Sequence, residues 1–586
     1  MKASDFIAAF LHAQGVTCVF EMSGGMITHL LDSIHRDGRL RIVSVHHEQA
    51  AAFAADAVGR LTGVPGVALA TSGPGATNLL TGIGSCYFDS SPAVFITGQV
   101  NRDELRGDRP IRQLGFQETD IVSMALPITK GAWQAQTAEE IPVLMRRAFE
   151  LAQSGRPGPV LVDLPMDLQR SAVSDALLDP RSPDSDDGFS GLKSLDLQDR
   201  GMWRRLFTAI EASERPLLLL GGGIRSGHAV EALRTFAHLL GTPAVCSLLG
   251  VDVLSHGDPL RVGMLGTYGN RCANLAVGRS DLLLVLGSRL DVRQTGSDTD
   301  AFKAGRAIFH VDCDPGEINN RVGGCTVIRA ELRPFLERAV VMAEEWQQAA
   351  GFRGRADWLR EVDDLRAAWP DTGEQGETPG INPNTLMHQI SAHSGLAAAY
   401  VVDVGQHQMW AAQSLQLTGS QRFITSGGMG SMGFALPAAI GAAVVSGGKP
   451  IVVIAGDGGM QANIQELQTV VRNRLPLKIV VVNNGCHGMV RQFQQSYFGR
   501  RYPSTLWGYS APDFAAVAQA YGISSRTVVI PEDIEAALAD LWQDPQSPGL
   551  LQVMVDPSAN AYPKIAFGRP MTEMEPFAKP VPMDGA

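Results

Sequence analysis

Asp457 and Asn484 are polar residues that each follow a short apolar run, and they stand 27 positions apart. The residues between the two runs have helical spacing, so the segment predicts a strand, a helix and a second strand parallel to the first. Because the carboxyl ends of parallel strands share one edge of a sheet, we expect the two side chains to meet there. A carboxylate and an amide oxygen suit Mg²⁺, which takes few protein ligands and shares the rest with water and phosphate. The sequence therefore predicts a magnesium and phosphate site at this edge.

Glycines surround Asp457 in the sequence. Gly456 and Gly458 have no Cβ, so their N–H groups can approach a phosphate closely. By itself, Gly-Asp-Gly is typical of a simple turn. Followed at this spacing by the Asn-Asn pair that ends in Asn484, it resembles the diphosphate and Mg²⁺ motif of thiamine diphosphate enzymes. The resemblance implies a metal site made by Asp457, Asn484 and Cys486.

Glu48 ends a β-rich run and precedes a predicted helix over residues 50–61. A carboxylate in this place could simply cap the helix, because the helix dipole favours a negative charge near the N-terminus. Two further stretches favour a functional role: residues 71–78 (TSGPGATN) form a loop rich in turn residues after a strand, and residues 116–120 (FQETD) precede an apolar segment. With Glu48, they resemble the pyrimidine-binding domain of the acetohydroxyacid synthase family of thiamine diphosphate enzymes. The resemblance extends over nearly the whole chain.

The resemblance implies roles for several side chains. Glu48 is expected to be the carboxylic acid that protonates the aminopyrimidine of thiamine diphosphate, with Gln117 and Phe116 as further catalytic residues. Met432 matches the apolar wedge that bends the cofactor into a V, and filling of an irregular core gap is the structural alternative for this side chain. The other cofactor-binding positions implied by the resemblance are Val404 beside the ring and Gln406 and His407 at the diphosphate.

A predicted strand over residues 216–220 runs into Gly221 and Gly222, which by themselves are a weak sign of a dinucleotide site. Arg289 follows a second apolar run and Asp312 lies in a third. Together these stretches resemble the FAD-binding central domain of the same family. The resemblance implies an FAD site that includes Gly221, Gly222, Arg289 and Asp312. A structural domain without flavin is the alternative.

The region that would receive the second substrate departs from the family pattern. The resemblance implies that Arg293 takes part in selecting the acceptor, but the position of the family's tryptophan is Phe493 here. Because phenylalanine is smaller and lacks the indole N–H, we expect a roomier acceptor pocket. Met166 replaces a lysine of the family at the substrate channel and removes a positive charge.

The resemblance implies an enzyme, a carboligase that decarboxylates pyruvate and transfers the acetyl unit to a second carbonyl, with 2-acetolactate as the default product. One alternative is acetyl transfer to a larger ketone or aldehyde, such as a nucleotide-linked keto-sugar, as in related branched-sugar carboligases. An alternative of another class is a flavin oxidoreductase of the pyruvate oxidase type. The cofactors implied are thiamine diphosphate, Mg²⁺ and FAD.

Helices that alternate with short β-rich runs must position these residues, and they predict an α/β fold with three doubly wound parallel-sheet domains. The three domains would bind the pyrimidine, the FAD and the diphosphate. Glycine loops at residues 73–75 and 426–433 hint at an internal duplication. We expect domains at residues 1–170, 199–345 and 384–560, linkers at 171–198 and 346–383, and a tail at 561–586 that is disordered or lies across the site.

Composition narrows the classes of partner. A net charge of −11 argues against a nucleic-acid surface, and the seven scattered cysteines argue for reduced thiols rather than a disulfide framework. No apolar run is long enough to span a membrane, and the N-terminus predicts an amphipathic helix rather than a secretion signal. We therefore expect a cytoplasmic enzyme. The resemblance implies a homodimer or tetramer with active sites between subunits, and leaves a regulatory subunit undetermined.

Overall fold

A computed structural model describes residues 1–174, 197, 199–376 and 378–582. Three six-stranded sheets, in which neighbouring strands run parallel, dominate the structure. Helices connect the strands, as parallel pairing requires. The predicted α/β fold with three parallel sheets is therefore confirmed.

The first sheet is formed by residues near the N-terminus, and its strands follow one another in the order β2-β1-β3-β4-β6-β5. The strands are β1 (Cys18–Glu21), β2 (Arg41–Ser44), β3 (Gly66–Ala70), β4 (Ala93–Gln99), β5 (Gly131–Gln134) and β6 (Pro159–Pro165). The helices are α1 (Ala3–Ala13), α2 (Thr28–Asp37), α3 (Glu48–Thr62), α4 (Pro74–Asn78), α5 (Leu80–Asp89), α6 (Ile121–Ala125), α7 (Glu140–Gln153) and α8 (Met166–Arg170).

The second sheet has the order β12-β11-β10-β7-β8-β9. Its strands are β7 (Pro216–Leu220), β8 (Ala244–Cys246), β9 (Arg261–Met264), β10 (Leu282–Leu286), β11 (Ala307–Asp312) and β12 (Thr326–Arg329). The helices around it are α9 (Arg200–Ala212), α10 (Gly223–Ser226), α11 (Val230–Leu240), α12 (Arg271–Arg279), α13 (Val292–Thr295), α14 (Thr299–Lys303), α15 (Leu332–Ala349) and α16 (Ala356–Ala368).

The third sheet has the order β14-β13-β15-β16-β18-β17. Its strands are β13 (Ala399–Val402), β14 (Arg422–Thr425), β15 (Ile451–Gly456), β16 (Leu477–Asn483), β17 (Ser524–Val528) and β18 (Gly549–Met554). Its helices are α17 (Pro383–His393), α18 (Gln406–Ser414), α19 (Ala435–Val445), α20 (Asp457–Ala462), α21 (Leu467–Asn473), α22 (Gly488–Tyr497), α23 (Phe514–Ala520) and α24 (Ile534–Leu541).

The first and third sheets have the same strand order when counted from their first strands, which supports the suggested internal duplication. The glycine loops that suggested it are not equivalent, however. The loop at residues 73–75 follows β3, whereas the loop at 426–433 follows β14, which corresponds to β2. The correspondence instead pairs helix α3 with helix α19.

Helices α3 and α19 pack directly against each other and join the first and third sheets into one apolar cluster. The rings of Phe53 and Phe434 meet edge to face, with centroids 5.2 Å apart. Gly441 lies so close to α3 that a Cβ atom there would be 2.1 Å from the carbonyl oxygen of Ala54. The small residues of both helices therefore allow a close backbone approach that larger residues would prevent.

Two segments are more ordered than their composition predicts. The suggested linker at 346–383 contains α16, whose Trp358, Val362 and Leu365 are buried against the central sheet. The tail forms a two-stranded antiparallel sheet from β19 (Lys564–Ile565) and β20 (Met574–Glu575), so its described part is not disordered. Glycines and prolines obscured both, because they stand at the ends of elements as well as in linkers. Of the suggested linker at 171–198, residues 175–196 and 198 lie outside the described residues.

Candidate active site

Asp457 and Asn484 stand at the carboxyl ends of adjacent parallel strands. Asp457 is the first residue of α20, directly after β15, and Asn484 follows the last residue of β16. The two strands pair in register up to Gly456 and Val482. Both strands are buried along their length, as central strands of a parallel sheet are.

Both side chains make hydrogen bonds with other parts of the third domain. The Tyr509 hydroxyl donates to Asp457 Oδ2 over 3.0 Å, and Asn484 Nδ2 donates to Gln406 Oε1 over 3.0 Å. Burial raises the pKa of Asp457, and the hydrogen bond from Tyr509 opposes that rise. The other atom of this amide, Asn484 Oδ1, accepts a hydrogen bond from the Cys486 N–H over 3.3 Å.

The donor set fits a hard cation better than a soft one. Burial raises the pKa of the Cys486 thiol to about 11, so this side chain is a neutral thiol and only its backbone oxygen resembles a magnesium ligand. No group of three or more His, Cys, Asp or Glu side chains that could hold a metal occurs among the described residues. One carboxylate and one amide suit Mg²⁺, whose other ligands come from water and phosphate.

The glycines around Asp457 are required by side chains that pack on them. A Cβ at Gly456 would be 2.9 Å from the His407 ring, and one at Gly458 would be 2.8 Å from His487 and 3.0 Å from Met432 Cε. His407 Nε2 accepts from the Gly456 N–H over 3.2 Å, and burial lowers the pKa of this histidine to about 3. The ring is therefore neutral. The structure thus brings His407, Gly458 and Met432 together at the predicted phosphate loop.

Asp403 holds the loop that carries Met432. This buried carboxylate follows β13 and accepts from the N–H groups of Val404, Gly433 and Ala435 at 2.8, 3.0 and 2.8 Å. Burial raises its pKa to about 6, against the effect of these three donors. Gly433 lies just before helix α19 and Ala435 is its first residue, so Asp403 ties the end of β13 to the turn beside Met432, a residue that is 42% exposed.

Glu48 is the first residue of α3, and its carboxylate is held within its own domain. Asn78 Nδ2 donates to Glu48 Oε2 over 3.0 Å, and Glu48 Oε1 faces the space beside Gly75. His47, and not Glu48, caps the helix, since its ring accepts from the Gln49 N–H. The Ser72 hydroxyl in the same loop is buried without a hydrogen-bond partner among the described residues. Because His47 makes the capping hydrogen bond, helix capping does not explain the position of Glu48.

Gln117 approaches the same loop. Its φ of 66° is rare for a residue with a side chain, and a Cβ at Gly73 would lie 3.0 Å from Gln117 Cβ. Phe116 is 80% exposed. The sequence motifs at residues 71–78 and 116–120 thus meet in the folded chain.

A second site lies between the three domains. A cavity of about 490 Å³ is lined by Gly222, Arg289, Arg293 and Asp312 of the central domain, together with residues of the first and third domains. Burial raises the pKa of Asp312. Gly221 lies outside the lining, and a Cβ there would be 1.9 Å from the Gly287 carbonyl oxygen, so this glycine permits close contact between the ends of β7 and β10.

The three predicted acceptor residues lie on separate elements. Arg293 is an exposed residue of α13 at the cavity, and Met166 begins α8 after β6. Phe493 lies on α22, is 39% exposed and packs on Tyr497 with ring centroids 4.8 Å apart. The described contacts do not join these three side chains to one another.

Three models of thiamine pyrophosphate enzyme domains match the chain: the N-terminal TPP binding domain at residues 1–124, the central domain at 203–338 and the C-terminal TPP binding domain at 403–553. The acetolactate synthase isozyme 2 large subunit of Escherichia coli (strain K12) is 37% identical over 579 residues, which cover 98% of this chain and 99% of that protein. The chain belongs to the acetolactate synthase family. A family member from Parasynechococcus marenigrum (strain WH8102), an acetolactate synthase large subunit, is 37% identical over 96% of this chain and 89% of its own length. The isozyme 1 large subunit of Escherichia coli (strain K12) is 34% identical, covering 97% of both chains.

Several residues that support the site in this acetolactate synthase family member were not predicted from its sequence. Asp403 had a detectable signal, because it directly follows strand β13 as Asp457 directly follows β15. Asn78 lies in the recognised loop at residues 71–78 but carried no assigned role. Tyr509 comes from a loop 52 positions after Asp457, so no local pattern connects the two residues. Such contacts arise only when the chain folds.

Proposed function

We propose that this chain decarboxylates pyruvate and transfers the acetyl unit to a second carbonyl, with 2-acetolactate as the default product. The observation that carries the proposal is similarity over nearly the full length to proteins named acetolactate synthase, at 37% identity. The site is compatible with it, because an acid, an apolar wedge and two hard-oxygen groups occur at matching positions. The names of these relatives favour this reaction over the keto-sugar and oxidase alternatives.

Thiamine diphosphate with Mg²⁺ and FAD are the cofactors. When bound, thiamine diphosphate supplies an electron sink for the carbon that loses CO₂. Asp457 and Asn484 are the proposed side-chain ligands of Mg²⁺, with the backbone oxygen of Cys486 as a third ligand. The proposed diphosphate contacts are Gln406, His407, Gly456 and Gly458, and Val404 is the proposed contact beside the ring. The buried Ser431 hydroxyl, which has no partner in the described chain, lies next to Met432 and supports a polar ligand at this place.

Glu48 is the proposed proton-holding group. Its Oε2 is held by Asn78, while Oε1 faces the loop at Gly75, so the carboxyl has one fixed oxygen and one oxygen available to a ligand. Gln117 and Phe116 belong to the same side of the site. Met432 is the proposed apolar wedge. Its side chain packs against Gly458, where a Cβ atom would lie 3.0 Å from Met432 Cε.

The central cavity is the proposed FAD site, with Gly222, Arg289 and Asp312 among the residues that would contact the dinucleotide. The size of the cavity, about 490 Å³, and the glycines in its lining, among them Gly222, Gly223 and Gly287, support this proposal. Gly221 acts indirectly, through the close approach of β7 and β10. Arg293, Phe493 and Met166 are the proposed acceptor residues.

We infer a homodimer or tetramer in which the first domain of one subunit meets the third domain of another. Large apolar side chains on the surface of the first domain support this proposal. Phe116 is 80% exposed, and the nearby Leu114, Met124 and Leu126 are 46%, 50% and 56% exposed. A partner surface would cover such a patch. Among the described helices, none is both long and apolar enough to cross a bilayer.

Product analysis tests the reaction. Purified protein loaded with thiamine diphosphate, Mg²⁺ and FAD should convert pyruvate to CO₂ and acetolactate, measured by gas release and by NMR of the product. Asp457→Ala, which removes the only carboxylate of the proposed metal set, should fail to retain thiamine diphosphate and give neither product. Consumption of pyruvate with bleaching of the flavin and without acetolactate would instead indicate an oxidase.

A panel of aldehydes and ketones tests the acceptor residues. Phe493→Trp should shift preference toward small 2-keto acids by roughly tenfold, because filling a pocket by a few methylenes is worth about 1–3 kcal/mol. Arg293→Ala should penalise acceptors with a carboxylate most, because the charged fork that would hold that group is lost. Equal effects on every acceptor, or a first effect on decarboxylation, would exclude these residues from the acceptor pocket.

A further inference from the structure

The loop from Ser426 to Gly433 carries Met432 and is held at its two ends by different parts of the molecule. At the C-terminal end of the loop, Asp403 of the third domain accepts from the Gly433 N–H. Near the N-terminal end of the loop, the partner comes from the first domain. Asp89 Oδ2 accepts from the Gly427 N–H over 2.9 Å, and Asp89 Oδ1 accepts from the Gly428 N–H over 2.6 Å. The position of this loop therefore depends on Asp89.

Asp89 is the last residue of α5, and Arg60 of α3 holds it in place. Arg60 donates to Asp89 Oδ2 over 3.0 Å and to both oxygens of Asp56 at 2.6 and 2.9 Å. The remaining guanidinium nitrogen of Arg60, Nη1, donates to the Thr425 carbonyl oxygen over 2.8 Å. Both aspartate side chains are fully buried. Burial by itself lowers the pKa of Arg60, but the two carboxylates outweigh burial and raise it, so the arginine is charged.

The same groups form a wall of the central cavity. Arg60, Asp89 and Gly427 all line it, opposite the central-domain residues that are the proposed dinucleotide contacts. The network continues into the central domain, where Asp252 accepts from Arg422 over 3.0 Å and from Arg225 over 3.0 Å. The Asp89 carboxylate itself is fully buried, so an occupant of the cavity would contact its hydrogen-bond partners Arg60 and Gly427 rather than the carboxylate.

We propose that Asp89 is a positioning residue that couples occupancy of the central cavity by FAD to the placement of the Met432 loop, and thereby to the binding of thiamine diphosphate. This inference rests on the proposed function for the identity of the two cofactors. It adds a physical connection between the two cofactor sites. A filled cavity holds α5 and Asp89 in place, and Asp89 holds the loop. Because such coupling is reciprocal, each cofactor should tighten the binding of the other.

The test compares two buried aspartates that share one arginine. In Asp89→Asn, an amide NH₂ replaces one of the two oxygens that accept from Gly427 and Gly428, so one loop bond is lost. In Asp56→Asn, the same arginine also loses a carboxylate, but both loop bonds remain. The dissociation constant of thiamine diphosphate with Mg²⁺ is measured by calorimetry for each full-length protein, first without FAD and then saturated with it.

We expect FAD to lower the dissociation constant of thiamine diphosphate by roughly fivefold or more in the wild type and in Asp56→Asn, the lower range of typical coupling. In Asp89→Asn the ratio should fall to about one while FAD itself still binds, as shown by its absorbance after gel filtration. A ratio that Asp89→Asn retains, or that Asp56→Asn loses equally, would overturn the proposal. So would a wild type without any effect of FAD, whereas acetolactate formation tests the reaction separately.

A second variant keeps the test decisive if Asp89→Asn does not fold. In Gly428→Ala all charged groups remain, but the new Cβ would lie 2.7 Å from Phe88 Cβ and 3.1 Å from Asp89 Oδ1. This contact should push the loop away from Asp89 and reduce the ratio of dissociation constants in the same way. Gly428→Ala with the wild-type ratio would contradict the role of the Asp89 contact.

Discussion

At the scale of single residues, Glu48, the proposed proton-holding group, has a carboxylate that its neighbours orient. It begins helix α3, yet His47 serves as the helix cap, which leaves the glutamate side chain available. Asn78 fixes one oxygen at 3.0 Å, and the other faces a glycine loop. A residue needed only for the helix would not require a second residue to orient it.

We expect Glu48→Gln to bind thiamine diphosphate and to lose roughly 10²- to 10⁴-fold in turnover, because an amide cannot deliver a proton. Steady-state kinetics and the exchange rate of the thiamine C2 proton, followed by NMR, measure the loss. Glu140→Gln is the matched control, since Glu140 also begins a helix, α7, and should be fully active. A wild-type exchange rate in Glu48→Gln would refute the assigned role.

Asp403 gives a prediction about pH. Burial raises its folded pKa to about 6, above the ordinary 3.8. The folded state therefore binds this proton more tightly, and the contribution to stability is present at low pH and is lost as pH rises through about 6. For this group we expect the free energy of unfolding to fall by on the order of 1 kcal/mol between pH 5 and pH 7.

Thermal unfolding at pH 5 and pH 7 checks the expectation. The difference between the two pH values should shrink in Asp403→Asn, which has no proton to lose, although this variant is less stable at both. Asp533→Asn is the control, because Asp533 is exposed and its replacement should leave the difference unchanged. An unchanged difference in Asp403→Asn would show that another group causes the pH dependence.

At the scale of elements, the contact between α3 and α19 joins the two related domains. Glu48 begins the first helix, and the loop with Met432 leads into the second, so the spacing of these helices sets how far apart one chain holds these two residues. The N-terminal side of α3 also touches the third domain, where Glu466 accepts from the His46 N–H at 2.9 Å. Small residues at the crossing allow this approach.

Gly441→Ala should therefore destabilise the protein by about 1–3 kcal/mol, the usual cost of overpacking a close contact. Its Cβ would stand 2.1 Å from the Ala54 carbonyl oxygen, and backbone on both helices would have to move. The midpoint of thermal unfolding measures the effect. Gly395→Ala is the control, because a Cβ there meets nothing within 4 Å. Equal midpoints for the two variants would mean that the helices adjust without cost.

At the scale of the whole molecule, the proposed dimer can be tested by mixing two inactive variants. Glu48→Gln and Asp457→Ala each damage one half of the site. If Glu48 of one subunit acts with Asp457 of another, a hybrid dimer has one site with both defects and one intact site. Random mixing makes half of the dimers hybrids, and each hybrid has one intact site of two. A quarter of all sites should then be intact, so the mixture should have about a quarter of the wild-type activity.

The mixture is refolded or exchanged at low concentration, and pyruvate consumption is compared with that of each variant alone. Light scattering measures the molar mass in the same samples. Activity that stays at the level of the single variants, while hybrid dimers form, would place both residues of each site in one chain. An active monomer at high dilution would do the same.

The sequence by itself determined the parallel-sheet fold and the residues at strand ends. Asp457 and Asn484 were predictable because apolar runs mark buried strands, and polar residues directly after them must lie at one edge of the sheet. Glu48, Met432 and the cavity residue Asp312 followed from a resemblance that covers most of the chain. Their roles remain predictions. Helix α16 and the strands of the tail were missed, because local composition there resembles that of a linker.

Only the tertiary structure decided which side chains support these residues. Asn78 reaches Glu48, Tyr509 reaches Asp457, and Asp89 reaches the loop at Gly427 across 338 positions of sequence. No periodic pattern encodes such contacts, since they depend on how three separate sheets and the α3–α19 helix pair are packed. The strand pattern is a local property of apolar spacing, whereas the hydrogen bonds between domains exist only after distant segments have been brought together.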